Sequence, residues 1–464
     1  MRILKWLMLI IIVLMISGLG TLIYSARSSH QDELTTILPS YDGKLVIQNI
    51  HIASKQSPKL VNIYLSDGKI ERITDTDESI DSNYQLVEGH GHYIMPALID
   101  SHAHIFEPSA LTRYLSHGVT YIRNMQGMPI HLRLKQALRE GTLTGAELIT
   151  ATPTLNGNSH SGPFHKIMNR PEELAPAIRY YKKQGYDFIK VYDGLSKPVA
   201  MEIFKLAETA GLKVSGHLVK TLSVPEQASR MASIEHIEEL FQTGLDFKYT
   251  KERSIKLAKQ LLESKTMVTT TIVAFQHIYQ VGKDREIDEE IMPVNSMNPL
   301  TRTIGEKGMQ DWIQAENNDW MGRKYLGMEL ILNDLVEVGV PLALATDAGP
   351  ALTIPGYSVY EEIKLLSEAG LSNEVIIEAA TVNNAKLLGI EDKLGQVKPG
   401  FQADLLITIN NPFDHLSTLK SPYSVIKEGQ VFEGKSLLAL KMAGLKHQSF
   451  MKTLGVLIDH WWNL

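Results

Sequence analysis

A short segment, Met95-Pro96-Ala97-Leu98-Ile99-Asp100-Ser101-His102-Ala103-His104, gives the strongest indication of how this 464-residue chain folds. An apolar run that ends in polar residues is typical of a buried strand that delivers side chains to the edge of a sheet. Side chains two positions apart on an extended backbone share a face, so His102 and His104 point the same way. They form half of a metal site, although an isolated pair of histidines is also common on a protein surface.

Four further side chains strengthen the metal interpretation because each of them follows a strand-like run. These runs occupy 187–189, 213–216, 233–235 and 341–346. The residues that follow them are Lys190, His217, His236 and Asp347.

Between residues 95 and 389 the chain alternates strand-like runs with amphipathic helical segments. Three of the helical segments, at 175–184, 198–210 and 325–338, are each followed by a glycine, which commonly ends a helix. Such alternation predicts an α/β protein built on a (β/α)8 TIM barrel, with its active site at the carboxyl ends of the strands. The six candidates would then converge on one rim. The eight predicted strands are 97–101, 119–124, 147–151, 187–191, 213–216, 233–236, 267–272 and 342–346.

Two segments outside the barrel predict a second, smaller domain. Residues 40–94 and 390–436 both contain short alternating runs that are typical of strands, and the first segment has a hairpin signal at Asp67-Gly68. We expect them to form one small β-sandwich domain. Within the barrel, the interval 276–323 is far longer than an ordinary loop. It predicts a mostly helical insertion over the barrel mouth, either a lid that shapes the substrate pocket or a structural elaboration.

The first 26 residues differ in composition from the rest of the chain. Arg2 and Lys5 precede an uncharged run at 6–24, which in helical form reaches close to the roughly 30 Å hydrocarbon core of a bilayer. Positive residues before such a run place the remaining chain outside the cytoplasm. We predict an N-terminal transmembrane helix or signal anchor at 1–26, with an extracytoplasmic catalytic domain, or a secreted protein if the segment is cleaved.

The C-terminal tail, 437–464, carries apolar residues at helical spacing. Such a face packs on a neighbouring domain or, through Trp461 and Trp462, contacts the membrane surface.

Composition excludes several classes of protein and of site. A content of 44% apolar and 21% charged residues is ordinary for a globular protein. The net charge of -6 and the lack of a basic run with interleaved aromatic residues argue against nucleic acid as a partner. The chain has no cysteine, so any metal must be held by nitrogen and oxygen ligands.

Six motifs are spread over nearly everything after residue 40: the segment 95–104, Ile189-Lys190-Val191, Gly216-His217, Glu235-His236, Thr346-Asp347-Ala348-Gly349 and Lys398-Pro399-Gly400-Phe401-Gln402-Ala403-Asp404-Leu405. In these motifs the chain resembles the amidohydrolase superfamily. The imidazolonepropionase-like and Xaa-Pro dipeptidase-like branches are the most similar, and in them a lysine at the end of strand four is carboxylated and bridges two metal ions.

The resemblance implies a site for two divalent metal ions of the zinc type. An ammonium group cannot be a ligand until its charge is removed, so Lys190 must be carboxylated to take part. A lysine that faces solvent or a carboxylate is the alternative, and it leaves a site for one ion. The implied ligands are His102, His104 and Asp347 for one ion, His217 and His236 for the second, and the Lys190 carbamate as the bridge.

Two such ions would acidify a shared water to a hydroxide nucleophile and polarise a carbonyl group. Asp347 would then pass a proton from the nucleophile to the leaving nitrogen; its alternative role is a helix cap. We predict a metal-dependent amidohydrolase that cleaves amide or cyclic-amide C–N bonds of a small-molecule substrate. A Xaa-Pro-type dipeptidase, a lactone or phosphotriester hydrolase, and a catalytically inactive binding or scaffold relative are the alternatives.

Four other residues are candidates for substrate binding. His160 and His165 lie on a polar loop after strand three and could reach a substrate carbonyl. Tyr192 could donate its hydroxyl to a carboxylate or an oxyanion, and Arg123 could pair with a carboxylate. The alternative for both is a packed or salt-bridged scaffold residue.

Overall fold

The computed structural model describes residues 13, 17–24, 27, 35–56, 58–158, 161–290, 292–314, 319–446 and 449–464. Most of the segment predicted to span a membrane, and the predicted substrate residue His160, lie outside these ranges. Among the helices of the described ranges, none combines the length and the apolar character needed to cross a bilayer.

The first part of the fold is a group of strands that precedes the barrel. Strands β2 and β3 form a hairpin across Asp67 and Gly68, which have φ angles of 52° and 73°. The Asp-Gly pair suits this turn because both residues tolerate positive φ better than most. The strands are β1 (Leu45–Ile52), β2 (Leu60–Ser66), β3 (Lys69–Asp75), β4 (Gln85–Glu88) and β5 (Tyr93–Pro96).

Parallel strands then form the (β/α)8 barrel. They pair in chain order, and the bridges Ala151–Phe188 and Ala103–Ala348 join the two sheets into a closed ring. Two of the strands below, β9 and β10, are a short extra pair in the loop after β8. The strands are β6 (Leu98–Ala103), β7 (Val119–Asn124), β8 (Glu147–Thr150), β9 (Leu155–Asn156), β10 (Lys166–Ile167), β11 (Phe188–Val191), β12 (Lys213–Gly216), β13 (Ser233–Ile234), β14 (Met267–Thr269) and β15 (Leu342–Ala343).

Three barrel strands, β13 to β15, end earlier than the sequence predicts. Just beyond them His236, Thr271 and Asp347 have φ angles of 68°, 47° and 54°. Positive φ leaves the extended region and costs energy in residues other than glycine, and such strain is concentrated at functional sites. The alternation of side chains therefore stops at these residues, and the chain turns at the rim of the barrel.

Helices cover the outside of the barrel. The predicted ends at Gly185, Gly211 and Gly339 are present, with φ angles of 98°, 65° and 87°. Up to the end of the barrel the helices are α1 (Pro108–Ser116), α2 (Pro129–Arg139), α3 (Leu174–Gln184), α4 (Lys197–Ala210), α5 (Val224–Ala228), α6 (Ile237–Glu239), α7 (Lys251–Ser264), α8 (Ile272–Asp284), α9 (Pro299–Gln314), α10 (Asp319–Val338), α11 (Tyr357–Glu368), α12 (Asn373–Ala380) and α13 (Val382–Leu388).

The barrel core is apolar and fully buried. Ile122, Ile234, Val268 and Leu344 are all 0% exposed and belong to one cluster that also contains residues of the surrounding helices. Burial of apolar surface contributes roughly 25 cal/mol per Å², so this cluster is a main source of the rigidity that positions the rim.

The chain returns to the first group of strands after the barrel. Strand β16 pairs antiparallel with β5, and all these strands belong to one eight-stranded sheet, whereas the sequence predicted a sandwich. The first half of β1 pairs parallel with β4 and its end pairs parallel with β5, while its register with β2 shifts between Ile47 and Ile50. The last elements are β16 (Leu405–Thr408), β17 (Ser424–Lys427), β18 (Gln430–Glu433), α14 (Gly434–Gly444) and α15 (Phe450–Trp462).

The long interval 276–323 is mostly helical and is built from the end of α8, from α9 and from the start of α10. It has a small apolar core of its own, in which Met292 and Met309 pack with Leu352 and Ile354 from the segment after β15. The insertion therefore lies beside the rim of the barrel at the end of its eighth strand.

Candidate metal centre

Two segments of the barrel rim bring His102, His104 and Asp347 together. Their ligand atoms lie within 4.8 Å of one another. The Asp347 Oδ1 atom is 3.3 Å from His102 Nε2 and 3.0 Å from His104 Nε2. The Asp347 N–H donates to the His102 carbonyl at 2.8 Å, which fixes the end of β6 against the segment after β15.

The other predicted ligands stand on the same rim. The His236 ring lies 4.5 Å from the His102 ring and 4.8 Å from the His217 ring, measured between centroids. All six predicted ligands line one cavity of about 390 Å³: His102, His104, Lys190, His217, His236 and Asp347.

Three of the histidine rings are oriented through Nδ1. His102 Nδ1 lies 2.8 Å from Glu235 Oε2, and His217 Nδ1 lies 3.0 Å from Glu239 Oε1. His236 Nδ1 lies 2.9 Å from Thr271 Oγ1. A histidine held in this way presents Nε2 to a metal ion, with its tautomer and ring angle fixed by the outer partner.

Burial also favours the metal-binding form of the rings. It lowers the pKa of His104, and it holds the pKa values of His217 and His236 well below the ordinary range. These rings are therefore neutral, as a metal ligand must be. Burial alone would raise the pKa of the Asp347 carboxyl, but His102 and His104 more than offset this and hold it well below its usual range.

Two buried polar atoms at the centre lack a hydrogen bond in the part of the chain that the structure describes. Asp347 Oδ1 lies 3.3 Å from His102 Nε2 and 3.0 Å from His104 Nε2, but within the described residues neither His102 Nε2 nor Asp347 Oδ1 makes a contact with hydrogen-bond geometry. Leaving such atoms unpaired inside a protein costs free energy, and a cation bound to both would remove that cost. Imidazole nitrogen and carboxylate oxygen are suitable ligands for a divalent ion of the zinc type. The residues present thus fit the metal that the sequence predicts.

Lys190 is buried at the end of β11, with 3% of its surface exposed. Burial lowers the pKa of its amine to about 8, although the carboxylates of Glu235 and Asp347 act in the opposite direction. An amine with this pKa is uncharged in a sizeable fraction of molecules near neutral pH, which an unperturbed lysine is not.

The prediction that Arg123 binds substrate is wrong. The Arg123 side chain is 3% exposed and lies inside the barrel, where it donates to Glu235 Oε1 at 2.6 Å and to the Ser101 carbonyl at 2.6 Å. Burial alone would raise the pKa of Glu235, but Arg123 and His102 hold it well below its usual range. Arg123 thus keeps Glu235 ionised as the partner of His102. All three of its guanidinium nitrogens already donate to groups inside the barrel, so none is left for a substrate carboxylate.

Tyr192 and His165 do line the cavity. The Tyr192 ring lies 4.0 Å from the His217 ring and 4.7 Å from the His165 ring. Burial raises the pKa of Tyr192, so its hydroxyl stays protonated and can donate. Burial lowers the pKa of His165 to about 4, so its ring is neutral. Both positions suit contact with an uncharged or oxyanionic substrate atom.

Sequence reasoning missed the two carboxylates that orient histidines, Glu235 and Glu239. Glu235 precedes a predicted ligand, and on a regular strand neighbouring side chains point to opposite faces. The positive φ of His236 breaks this alternation, so both residues reach the same centre. The adjacency of a glutamate and a histidine at a strand end was the available signal for Glu235.

A (β/α)8 barrel with histidine, lysine and aspartate side chains at the carboxyl ends of its strands is typical of metal-dependent hydrolases. A family model described as the amidohydrolase family matches residues 93–432. The chain belongs to this family, and it is a hydrolase that acts on carbon–nitrogen bonds.

Two curated relatives illustrate the range of similar sequences. The ochratoxinase of Aspergillus niger is 28% identical over 347 residues, which are 70% of this chain and 67% of that protein. An imidazolonepropionase of Flavobacterium johnsoniae is 33% identical over only 75 residues, and this match covers 16% of this chain and 18% of the relative.

Solved structures share the fold. A bottromycin amidohydrolase superposes with a TM-score of 0.72 at 23% identity, covering 88% of this chain and 91% of that chain. A Xaa-Pro dipeptidase with bound methionine superposes with a TM-score of 0.65 at 21% identity, covering 84% and 100%.

Proposed function

We propose that this protein hydrolyses the C–N bond of a small-molecule amide or cyclic amide, with divalent metal ions held by the rim of the barrel. One observation carries the proposal. His102 Nε2 and Asp347 Oδ1 are buried and lie 3.3 Å apart, yet neither makes a contact with hydrogen-bond geometry among the described residues, and the other predicted ligands line the same cavity.

The roles of the residues follow from their positions. Divalent ions, when bound, supply a water of lowered pKa and polarise the carbonyl group of the substrate. Asp347 is the carboxylate that can take a proton from the attacking water and deliver it to the leaving nitrogen. The Tyr192 hydroxyl, on the wall of the same cavity, can donate to the oxygen that gains negative charge.

We further propose that Lys190 is carboxylated and completes a site for two ions. A lysine adds to carbon dioxide only as the uncharged amine, and the lowered pKa of Lys190 favours that form. The carbamate would supply two oxygen ligands in place of an ammonium group. If Lys190 stays unmodified, the remaining ligands serve one ion.

A Xaa-Pro-type dipeptidase is the second candidate, and the structural likeness to a dipeptidase of that kind favours it. An inactive scaffold relative is a weaker alternative because five of the six predicted ligand positions hold a histidine or an aspartate, which bind metal directly, and the sixth holds Lys190, which can do so once it is carboxylated. Imidazolonepropionase and ochratoxinase relatives favour the broader proposal of amide and cyclic-amide hydrolysis.

The test is hydrolysis by the zinc-loaded full chain of a panel that contains dipeptides, N-acyl amino acids and hydantoin-type rings. We expect turnover of at least one amide class, and we expect Asp347→Asn to lower kcat by about 100-fold or more. Asp392→Asn is the matched control, since Asp392 is an exposed aspartate in a loop after the barrel. Equal loss in both variants, or no turnover of any amide, would overturn the proposal.

A further inference from the structure

The cavity wall carries carboxylates that the metal centre does not need as ligands: Asp193, Glu238 and Glu239. Two of them already have partners on the protein. Glu239 accepts from the Thr243 hydroxyl at 2.9 Å and lies 3.0 Å from His217 Nδ1. Glu238 forms an ion pair with Lys324. Asp193 is the one of these three described residues that has a buried oxygen without a hydrogen-bond partner.

Asp193 has one spare oxygen. Its Oδ2 atom pairs with Lys220 Nζ at 2.5 Å, while its Oδ1 atom is buried and, within the described ranges, has no hydrogen-bond partner. The residue is 7% exposed and lines the cavity. An unpaired buried carboxylate oxygen is costly, so a partner from outside the protein is expected at this atom.

The backbone around Asp193 is fixed. The Tyr192 N–H donates to the Leu155 carbonyl at 3.1 Å, and the Asp193 carbonyl accepts from the Lys220 N–H at 3.1 Å. The carboxylate therefore belongs to a segment that directly follows β11 and whose backbone is hydrogen-bonded to neighbouring segments on both sides. A group held in this way is ready to bind a ligand without a further cost of ordering.

The unpartnered oxygen of Asp193 favours a cation over an anion. Lys220 and Lys324 pair with Asp193 and Glu238, and burial raises the pKa of Glu239 to about 7, so the preference comes from the Asp193 oxygen itself rather than from a net charge of the wall. A substrate carboxylate at Asp193 would be repelled, whereas an ammonium group would form a charge-assisted hydrogen bond.

We propose that Asp193 Oδ1 binds the protonated amine of the substrate. The substrate class is then an amide that carries an ammonium group, such as a dipeptide or an aminoacyl amide with a free amino terminus. This inference rests on the proposed function. It narrows the substrate class to amides with a free amino group, which excludes N-acyl compounds and uncharged rings.

The experiment compares matched amides that differ only in the amine. The zinc-loaded wild type and Asp193→Asn are assayed with a set of dipeptides such as L-leucyl-L-alanine and with their N-acetyl counterparts. We expect the wild type to prefer the free amine in kcat/KM, and we expect Asp193→Asn to lose about 10- to 100-fold for the free amine, mainly in KM. The N-acetyl series should change by less than about twofold, because it lacks the cation.

Lys220→Gln is the control, and we expect it to change the preference for the free amine in the opposite direction to Asp193→Asn, if at all. It removes the partner of Asp193 Oδ2 but keeps the carboxylate, so the preference for the free amine should be kept or increased. Thermal unfolding and zinc content of all variants separate this effect from a loss of structure. A wild type that cleaves N-acetyl substrates equally well, or an Asp193→Asn variant that loses both series in proportion, would overturn the inference.

A binding measurement decides the inference separately from turnover. Calorimetric titration with L-leucinamide and N-acetyl-L-leucinamide should show tighter binding of the amine to the wild type and no such difference in Asp193→Asn. Hydrolysis of N-acyl or cyclic amides without selective amine binding would reject the inference and keep the proposed function. Absence of all amide hydrolysis would reject the proposed function, whatever the titration shows.

Discussion

At the scale of single residues, the centre depends on buried side chains that hold the ligands. Arg123 pairs with Glu235, and Glu235 in turn lies 2.8 Å from the Nδ1 atom of His102. This chain of contacts fixes the ring of a predicted ligand and keeps its Nε2 atom free. Outer partners of this kind typically change metal affinity by about 10- to 100-fold when they are removed.

We therefore predict that Glu235→Gln weakens zinc binding by about 10- to 100-fold and lowers the free energy of unfolding by roughly 3–5 kcal/mol, since it leaves Arg123 buried without its ion-pair partner. Competitive zinc titration and urea unfolding measure the two effects. Glu263→Gln, at an exposed glutamate on α7, should change neither. Unchanged zinc affinity in Glu235→Gln would show that His102 does not need this partner.

His131 provides a second residue-scale prediction, through the pH dependence of stability. Burial lowers the pKa of His131 from 6.5 to about 3. Its Nδ1 accepts from the Met128 N–H at 2.8 Å and its Nε2 lies 2.7 Å from the Ile105 carbonyl, which fits the neutral ring. Below pH 6.5 the unfolded chain binds a proton that the folded chain does not, so stability falls as the pH drops.

Because of this residue, we expect the free energy of unfolding to fall by about 1.4 kcal/mol for each pH unit as the pH is lowered from 6 to 4. Urea unfolding of the chelated protein measures it as the difference in slope between the wild type and His131→Gln, a variant that cannot titrate. Equal slopes for the two proteins would contradict the prediction.

At the scale of elements, the join between β11 and β12 places Lys190 and His217 side by side. Gly216 ends β12 with a φ of 155°, and a Cβ atom there would lie 2.1 Å from the Val191 carbonyl oxygen. Only glycine allows the two strands to approach this closely. The same approach sets the distance between the predicted bridging lysine and a predicted ligand.

We predict that Gly216→Ala destabilises the protein by more than about 3 kcal/mol and lowers its zinc content, because the two strands must separate. Gly211→Ala is the control: Gly211 also has a positive φ, of 65°, but no atom lies within 4 Å of the added Cβ. It should cost about 1 kcal/mol and leave zinc content unchanged. Similar losses in the two variants would show that the approach of the strands is not critical.

The insertion is the second element that a variant can test. Lys324 on α10, the residue directly after the insertion, pairs with Glu238 on the cavity wall and lies 5.1 Å from the centre of the Phe275 ring. If the insertion shapes the pocket, Lys324→Met should raise KM by about 3- to 30-fold with little change in zinc content. Lys307→Met, at an exposed position of α9, should behave as the wild type. An unchanged KM would identify the insertion as a structural elaboration.

The sequence was most informative where the chain is regular. Alternation and glycine helix ends predicted the barrel strands and helices, and the His102–His104 spacing predicted a shared face. It was least informative where the backbone becomes irregular, at His236, Thr271 and Asp347, because positive φ in such residues follows from contacts across the barrel. For the same reason Arg123 was misjudged: its direction into the barrel depends on Glu235, a long-range partner.

At the scale of the whole molecule, Arg27 contacts the last helix of the chain. Arg27 forms an ion pair of 2.7 Å with Asp459 on α15, and Trp461 and Trp462 on the same helix are 62% and 65% exposed. We propose that the segment 1–26 anchors the protein in a membrane, with the catalytic domain outside the cytoplasm and these tryptophans near the lipid surface.

We expect the full chain in the membrane fraction of cells and a variant that lacks residues 1–26 in the fraction without membranes. Protease added to intact spheroplasts should degrade the catalytic domain of the full chain, while a cytoplasmic marker protein survives. Recovery of the chain at full length outside the membrane fraction would show that the segment does not anchor it. Recovery of a shortened chain there would show that the segment is removed. Protection from the protease while the chain is in the membrane fraction would reverse the proposed orientation.

The metal content of the protein is the decisive test of the proposed centre. The barrel fold, the ligands at its strand ends and the buried His102 Nε2 and Asp347 Oδ1 atoms that lack a hydrogen bond among the described residues all favour a bound cation. We would measure zinc per chain by elemental analysis of the full chain purified with bicarbonate and without chelator. We predict two ions per chain, about one or fewer in Lys190→Ala, and almost none when His102 and Asp347 are both replaced. A wild type that binds no zinc, manganese or other divalent ion under these conditions would contradict the proposed centre.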